Sequence, residues 1–172
     1  MIELERTFLI KKVPDLTKAR SAYMIDIYIP KNQEHPILRI RKIGDKYEMT
    51  KKSPIGEDSS VQKEHTIILS EEEFASLSSV EGKKVEKKRY YINWNGKACE
   101  IDVFQGPLEG LVIVDFEFGT EDEKNKFVMP EFCLADVTQE RFIAGGMLCG
   151  KKYEDIEAEL NKFGYSKLIV IV

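Results

Sequence analysis

Within the stretches of this chain that alternate like β-strands, two charges of the same sign stand two positions apart five times, four of those times astride a single apolar residue. Glu3 and Glu5 straddle Leu4, Arg39 and Arg41 straddle Ile40, Glu100 and Asp102 straddle Ile101, and Asp115 and Glu117 straddle Phe116, while Lys87 and Arg89 repeat the spacing around Lys88. Successive side chains of a strand leave opposite faces, so both members of each pair project to the same side. Like charges held there repel, and each pair needs an opposite charge from another strand or from a ligand. An ordinary sandwich with one wet face meets that need by solvation. A closed barrel meets it by turning the polar faces inward around a charged guest. In the barrel, acids on one wall hold a divalent metal through oxygen ligands, as Mg2+ and Mn2+ prefer, and arginines and lysines opposite bind phosphate oxygens. The guest implied is a metal-bound polyphosphate.

The rest of the chain fits a mainly β protein with short helices. Period-two segments at 2–11, 21–29, 37–43, 46–52, 61–69, 84–94, 97–104 and 110–118 predict eight strands. Gly44-Asp45, Asn95-Gly96 and Gly106-Pro107 fall between them as turns, Asn-Gly being a strong hairpin signal. Ser70 followed by Glu71, Glu72 and Glu73 predicts a capped helix. A second helix is expected near Thr120 and a third from Tyr153 to Phe163, where Gly164 stops it. The run from Lys167 to Val172 reads as a last strand or an interface segment, and Ser53–Ser60 as the most mobile loop. At 172 residues the chain is expected to form one domain over 1–172, with 151–172 supplying a C-terminal helix and terminal strand.

Composition removes several functional classes. A net charge of −4 argues against a surface built as a nucleic-acid footprint. No stretch reaches the roughly 18 apolar residues of a membrane span, and no signal peptide opens the chain, so a cytoplasmic protein that does not bind membranes is expected. Cys99, Cys133 and Cys149 lack zinc spacing and read as small buried hydrophobes. His35 and His65 are too isolated for a metal site, His65 facing away from its neighbour Glu64 by strand parity. Gly145-Gly146 follows no strand of the kind a phosphate loop needs and reads as a turn.

Taken in order, Glu3-Leu-Glu5-Arg-Thr-Phe, Leu38-Arg39-Ile-Arg41, Met49-Thr-Lys-Lys52-Ser, Glu64, Val85-Glu-Lys87-Lys-Arg89-Tyr, Glu100-Ile-Asp102-Val-Phe, Asp115-Phe-Glu117-Phe and Asp136-Val-Thr-Gln-Glu-Arg141 resemble the CYTH family, the triphosphate tunnel metalloenzymes. The resemblance covers about residues 1–150, and within the family it lies nearest small prokaryotic inorganic triphosphatases. It implies a closed eight-stranded antiparallel barrel forming a tunnel, and Mg2+- or Mn2+-dependent hydrolysis of a small-molecule triphosphate inside it. By the same resemblance Glu3, Glu5, Asp115 and Glu117 are metal-side carboxylates, with Glu64 and Asp102 as helpers. Arg39, Arg41, Lys52, Lys87 and Arg89 bind phosphate oxygens, and Glu5, Arg41 and Lys87 carry catalysis. Lys52 is chosen over Lys51 because the family lysine precedes a small residue, here Ser53.

Two departures from the family pattern stand out. The lysine of Glu-x-Glu-x-Lys is Thr7, and the acid that often follows Glu64 by two is Thr66. Both remove charge, so a slower site is expected unless another lysine compensates, Lys11 being one candidate by strand parity. Alternatives therefore stay open: a class IV-type adenylate cyclase, a thiamine or other organic triphosphatase, or a non-catalytic polyphosphate or nucleotide binder. A homodimer is the expected assembly.

Overall fold

The computed structural model describes residues 2–170. Nine strands form one antiparallel sheet: β1 (Ile2–Ile10), β2 (Arg20–Ile29), β3 (Leu38–Ile43), β4 (Lys46–Ile55), β5 (Asp58–Leu69), β6 (Lys83–Trp94), β7 (Lys97–Phe104), β8 (Val112–Phe118) and β9 (Cys133–Asp136). The first eight run in the order β5-β4-β3-β2-β6-β7-β8-β1, and β1 pairs back onto β5 through Ile2↔Lys63 and Leu4↔Val61. That last ladder closes the barrel and removes its edges.

Turn chemistry matches the sequence reading where φ must be positive. Asn95 and Gly96, at φ 50 and 86, join β6 to β7 in the geometry that suits the twist of a two-residue hairpin. The helix α1 (Glu71–Ser78) starts on a capping box: Glu73 N–H donates to Ser70 Oγ at 3.2 Å and Ser70 N–H to Glu73 Oε2 at 2.8 Å. It docks Phe74 on Tyr47 of β4, with ring centroids 5.1 Å apart. The helix α2 (Glu121–Lys126) is capped by Thr120.

Several expectations need correction. Ser53–Ser60 is mostly β4 and β5 with a turn at Gly56, because both flanks continue the ladder past Ser53↔Lys63. The short β9 escaped notice: four residues carry too little periodicity to show. After α3 (Gly145–Leu148), the expected third helix divides into a 3-10 turn at Tyr153–Asp155 and α4 (Glu157–Asn161), since Tyr153, Ile156 and Leu160 must all reach the same core. The terminal strand does not form over 165–170, where Leu168 N–H bonds Gly110 O, and Ile171 and Val172 lie outside the described residues.

Two apolar clusters support the barrel. One lies outside it, where the outward faces of β1, β6, β7 and β8 (Phe8, Tyr90, Ile101, Val114, Phe116) meet Leu16 and Phe132. The other closes one end. Two residues beyond the inward charges, the same strand faces turn apolar: Thr7 gives way to Leu9, Asp115 to Ile113, Asp102 to Phe104, Lys87 to Val85 and Asp26 to Tyr28. Val137, Ile143, Leu148 and Leu160 pack on that ring, so the charged lumen rests on an apolar floor. Cys99, Cys133 and Cys149 are all buried thiols, as expected.

Tyr90 carries a mismatch. It is 1% exposed, and its Oη finds no hydrogen-bond partner among the described residues. A buried hydroxyl left unpaired costs about 1–3 kcal/mol, so Tyr90→Phe is expected to hold or raise the urea midpoint without changing the slope.

Candidate active site

Strand pairing sets the lumen row by row. Glu5 faces Glu117 and Thr7 faces Asp115 across β1–β8, Glu100 faces Asp115 across β7–β8, and Arg89 faces Asp102 across β6–β7. On the other side Asp26 faces Arg41, Tyr28 faces Arg39, and Lys52 faces Glu64. Register partners share a face, so these side chains converge in one cavity of about 580 Å³. That volume lies within the range of small-molecule sites. Every site residue expected from the sequence lines it: Glu3, Glu5, Arg39, Arg41, Lys52, Glu64, Lys87, Arg89, Asp102, Asp115 and Glu117.

Acids concentrate on β5, β1, β8 and β7, bases on β3 and β6. Asp102 differs from the other acids in its partners. It is 0% exposed and committed to cations: Arg89 donates Nε to Oδ1 at 2.6 Å and Nη2 to Oδ2 at 2.7 Å, and Lys87 Nζ joins Oδ2. Burial would raise its pKa, but Arg89 and Lys87 outweigh that and hold it far below the usual carboxylate range. A carboxylate so engaged sits on the cationic wall, apart from the cluster of Glu3, Glu5 and Glu117. Arg89 also bonds Glu100 and lies 3.7 Å from Asp115.

Burial pulls Lys87 below its ordinary pKa, Asp102 opposing and Arg89 and Arg41 assisting. An ammonium so destabilised gains from an incoming anion. Arg39 keeps spare donor capacity: its Nε is buried with no hydrogen-bond partner among the described residues, and its carboxylate neighbour Glu48 stands 3.5 Å from Nη2.

The acid side offers a metal position. Glu3, Glu5 and Glu117 bring one carboxylate oxygen each within 4.8 Å of one another. Burial raises the pKa of Glu3 and Glu5 and Lys52 opposes it in both; the charges of Glu64 and Glu117 add to the rise at Glu3, and those of Glu3 and Glu117 at Glu5, where Arg89 also opposes. Lys52 bonds Glu3 and lies 3.4 Å from Glu64 and 4.0 Å from Glu5, as a cation among acids must. The donor set is oxygen only, the hard chemistry that Mg2+ and Mn2+ take.

Asp115 is pushed up to about 7, by burial first and then by the charges of Glu5 and Asp102. A carboxyl with a raised folded pKa contributes stability fully below its unfolded value, near 3.8, and loses it as pH rises through about 7. In chelator, the melting temperature is therefore expected to fall between pH 5 and pH 8. Asp115→Asn, which can still accept from Thr7, should flatten that slope. Each tenfold change in proton affinity is worth about 1.4 kcal/mol, which bounds the effect.

No protein-family model matches the chain. Individual relatives do. A protein of Nitrosomonas europaea named inorganic triphosphatase is 33% identical over 143 residues, covering 82% of this chain and 92% of that protein. The chain belongs to the CYTH family. An inorganic triphosphatase of Acetivibrio thermocellus is 28% identical over 136 residues, covering 79% of this chain and 85% of that one. A crystal structure of an inorganic triphosphatase superposes with a TM-score of 0.64 at 29% identity, over 87% of this chain and 95% of that chain. A putative adenylate cyclase from Bacillus halodurans, at 16% identity and TM-score 0.55 over 99% of this chain and 94% of that chain, shares the fold.

Against the CYTH pattern, the two threonines find local work. Thr7 Oγ donates to Asp115 Oδ1 at 2.7 Å, and Thr66 Oγ donates to Glu64 Oε1 at 2.8 Å while lying 2.9 Å from Thr50 Oγ. Lys11 does not compensate for the missing family lysine: it is exposed beyond the end of β1. His65 is exposed, as expected, whereas His35 and Gly145-Gly146 line the floor end of the cavity. There Gly146 is required, since a Cβ would stand 2.2 Å from Pro36 O. Asp26, Tyr28 and Glu48 also line the lumen and were missed. Asp26 had a signal: a lone acid on the strand row of Met24 and Tyr28.

Proposed function

We propose that this CYTH protein hydrolyses inorganic triphosphate to diphosphate and phosphate in its lumen, with Mg2+ or Mn2+ held by Glu3, Glu5 and Glu117. The carrying observation is the convergence of Arg39, Arg41, Lys87 and Arg89 on the cavity that the carboxylate trio enters from the other side. A divalent ion held by Glu3, Glu5 and Glu117 would supply Lewis-acid stabilisation of phosphate charge. The four cations hold the phosphate chain and stabilise charge on the leaving diphosphate, preorganised where water is scarce. Asp115 and Glu64 stand at the edge of the trio, where a carboxylate can orient water or take its proton. Attack by water needs no covalent intermediate, and the lining offers no residue set that suggests one. The floor of Tyr28, Val85, Phe104 and Ile113 itself carries no cation, and Arg141 lines the cavity beside it.

The test is phosphate release from inorganic triphosphate, ATP and thiamine triphosphate with each metal, with chromatography of the ATP products. Release from inorganic triphosphate is expected to dominate. Cyclic AMP with diphosphate would instead assign a cyclase. Tight tripolyphosphate binding without turnover, restored to turnover by Thr7→Lys, would assign a binder whose catalysis was lost with the family lysine.

A further inference from the structure

Asp26 has no place in a phosphate site on charge grounds. It is 1% exposed, it lies on β2 between the basic strands β3 and β6, and a carboxylate there repels the anion that the lumen is built to hold. What it does touch is Arg41. Arg41 donates Nε to Asp26 Oδ1 at 2.6 Å and Nη2 to Oδ2 at 2.7 Å, a two-bond fork between register partners on adjacent strands. The same fork recurs on the next pair of strands round the barrel at the same distances, between Arg89 of β6 and its register partner Asp102 of β7. Arg39, on the same strand face as Arg41, has no such fork and keeps an unpaired Nε.

We propose that Asp26 is a positioning residue for triphosphate hydrolysis: by occupying the Nε and Nη2 edge of Arg41, it fixes the guanidinium plane and reserves Nη1 for a phosphoryl oxygen. A planar guanidinium has a fixed fork of donors, so binding one edge determines where the others point. Orientation set before substrate arrives costs nothing at the moment of reaction. Nη1 meets Glu48 only at 3.8 Å, beyond hydrogen-bond range, which leaves it available. The lumen thus has two kinds of arginine: Arg41 and Arg89 are held by aspartates, and Arg39 is left to adjust.

The proposal rests on the triphosphatase reading, and the experiment separates the two. Wild-type phosphate release tests the reading. For Asp26, the variant is Asp26→Asn, which keeps the shape and offers an NH2 where Arg41 Nη2 needs an acceptor. The expected result is a kcat about 10- to 100-fold lower with KM unchanged or reduced, since one negative charge has left the lumen. In an Arg41→Lys background, which cannot form the fork, Asp26→Asn should cost less than about twofold more. A structural role alone would give an unchanged kcat, or a loss that multiplies in full in the double variant, and either result overturns the assignment.

Should Asp26→Asn not fold, Arg41→Lys alone decides. It keeps the ion pair but not the fork, so a loss of the same size supports positioning and near-normal kcat refutes it. Independently of turnover, the 15N-detected guanidinium resonances of Arg41 should shift on adding tripolyphosphate to the wild type and not to Asp26→Asn. Equal shifts in both would count against the proposal even if the protein proved to be a binder.

Discussion

Glu5→Ala is expected to lower triphosphatase turnover by at least about 10²- to 10³-fold while leaving the melting temperature unchanged or higher. The two halves of that outcome have one cause. Glu5 stands between Glu3 and Glu117 with carboxylate oxygens close enough to share a cation, and burial together with those neighbours makes its ionised form costly to the fold. Lys52 offsets part of that cost, and an alanine removes the repulsion while leaving Lys52 paired with Glu3 and Glu64. A residue that destabilises its own fold and sits in a donor cluster is there for what the cluster binds. Phosphate release and a thermal melt on the same preparation check both halves. Turnover near the wild-type level would remove Glu5 from the metal set, and a large fall in melting temperature would make it structural.

The barrel and the membership of its lumen were legible in the sequence because both depend on parity. A like-charge pair such as Asp115 and Glu117 declares its face, and eight period-two runs with turns between them declare the sheet. Partnership depends on register between strands, and several of those pairings join segments far apart in the chain. Glu100 and Asp102 show the difference. Both lie on the inward face, but β6–β7 pairing puts Asp102 opposite Arg89 and β7–β8 pairing puts Glu100 opposite Asp115, and spacing cannot distinguish those fates. Asp26 was only faintly marked: a lone acid on the row of Met24 and Tyr28 has no like-charge partner two positions away, and its tie to Arg41 depends on the β2–β3 register.

The same distinction between membership and partnership separates two arginines that sequence treats alike. Arg89 is bonded to Asp102 and Glu100 and lies beside Asp115, and these acids raise its pKa well above normal even though burial opposes it. Arg89→Ala would leave three lumen carboxylates with Lys87 as the nearest remaining cation, and stripping one partner from a buried ion network costs about 3–5 kcal/mol. For a chain of this length that is a fall in melting temperature of about 10 °C, accompanied by loss of turnover. Arg39→Ala removes a group whose Nε is unpaired and whose carboxylate neighbour is 3.5 Å away, so the fold should lose less than about 1 kcal/mol while KM for inorganic triphosphate rises about tenfold or more. Melting curves and steady-state kinetics on the two variants make the comparison. If Arg39→Ala proved the more destabilising, the ion network would centre on β3 and not on β6. If Arg39→Ala left KM untouched, its unpaired Nε would not be a phosphate donor.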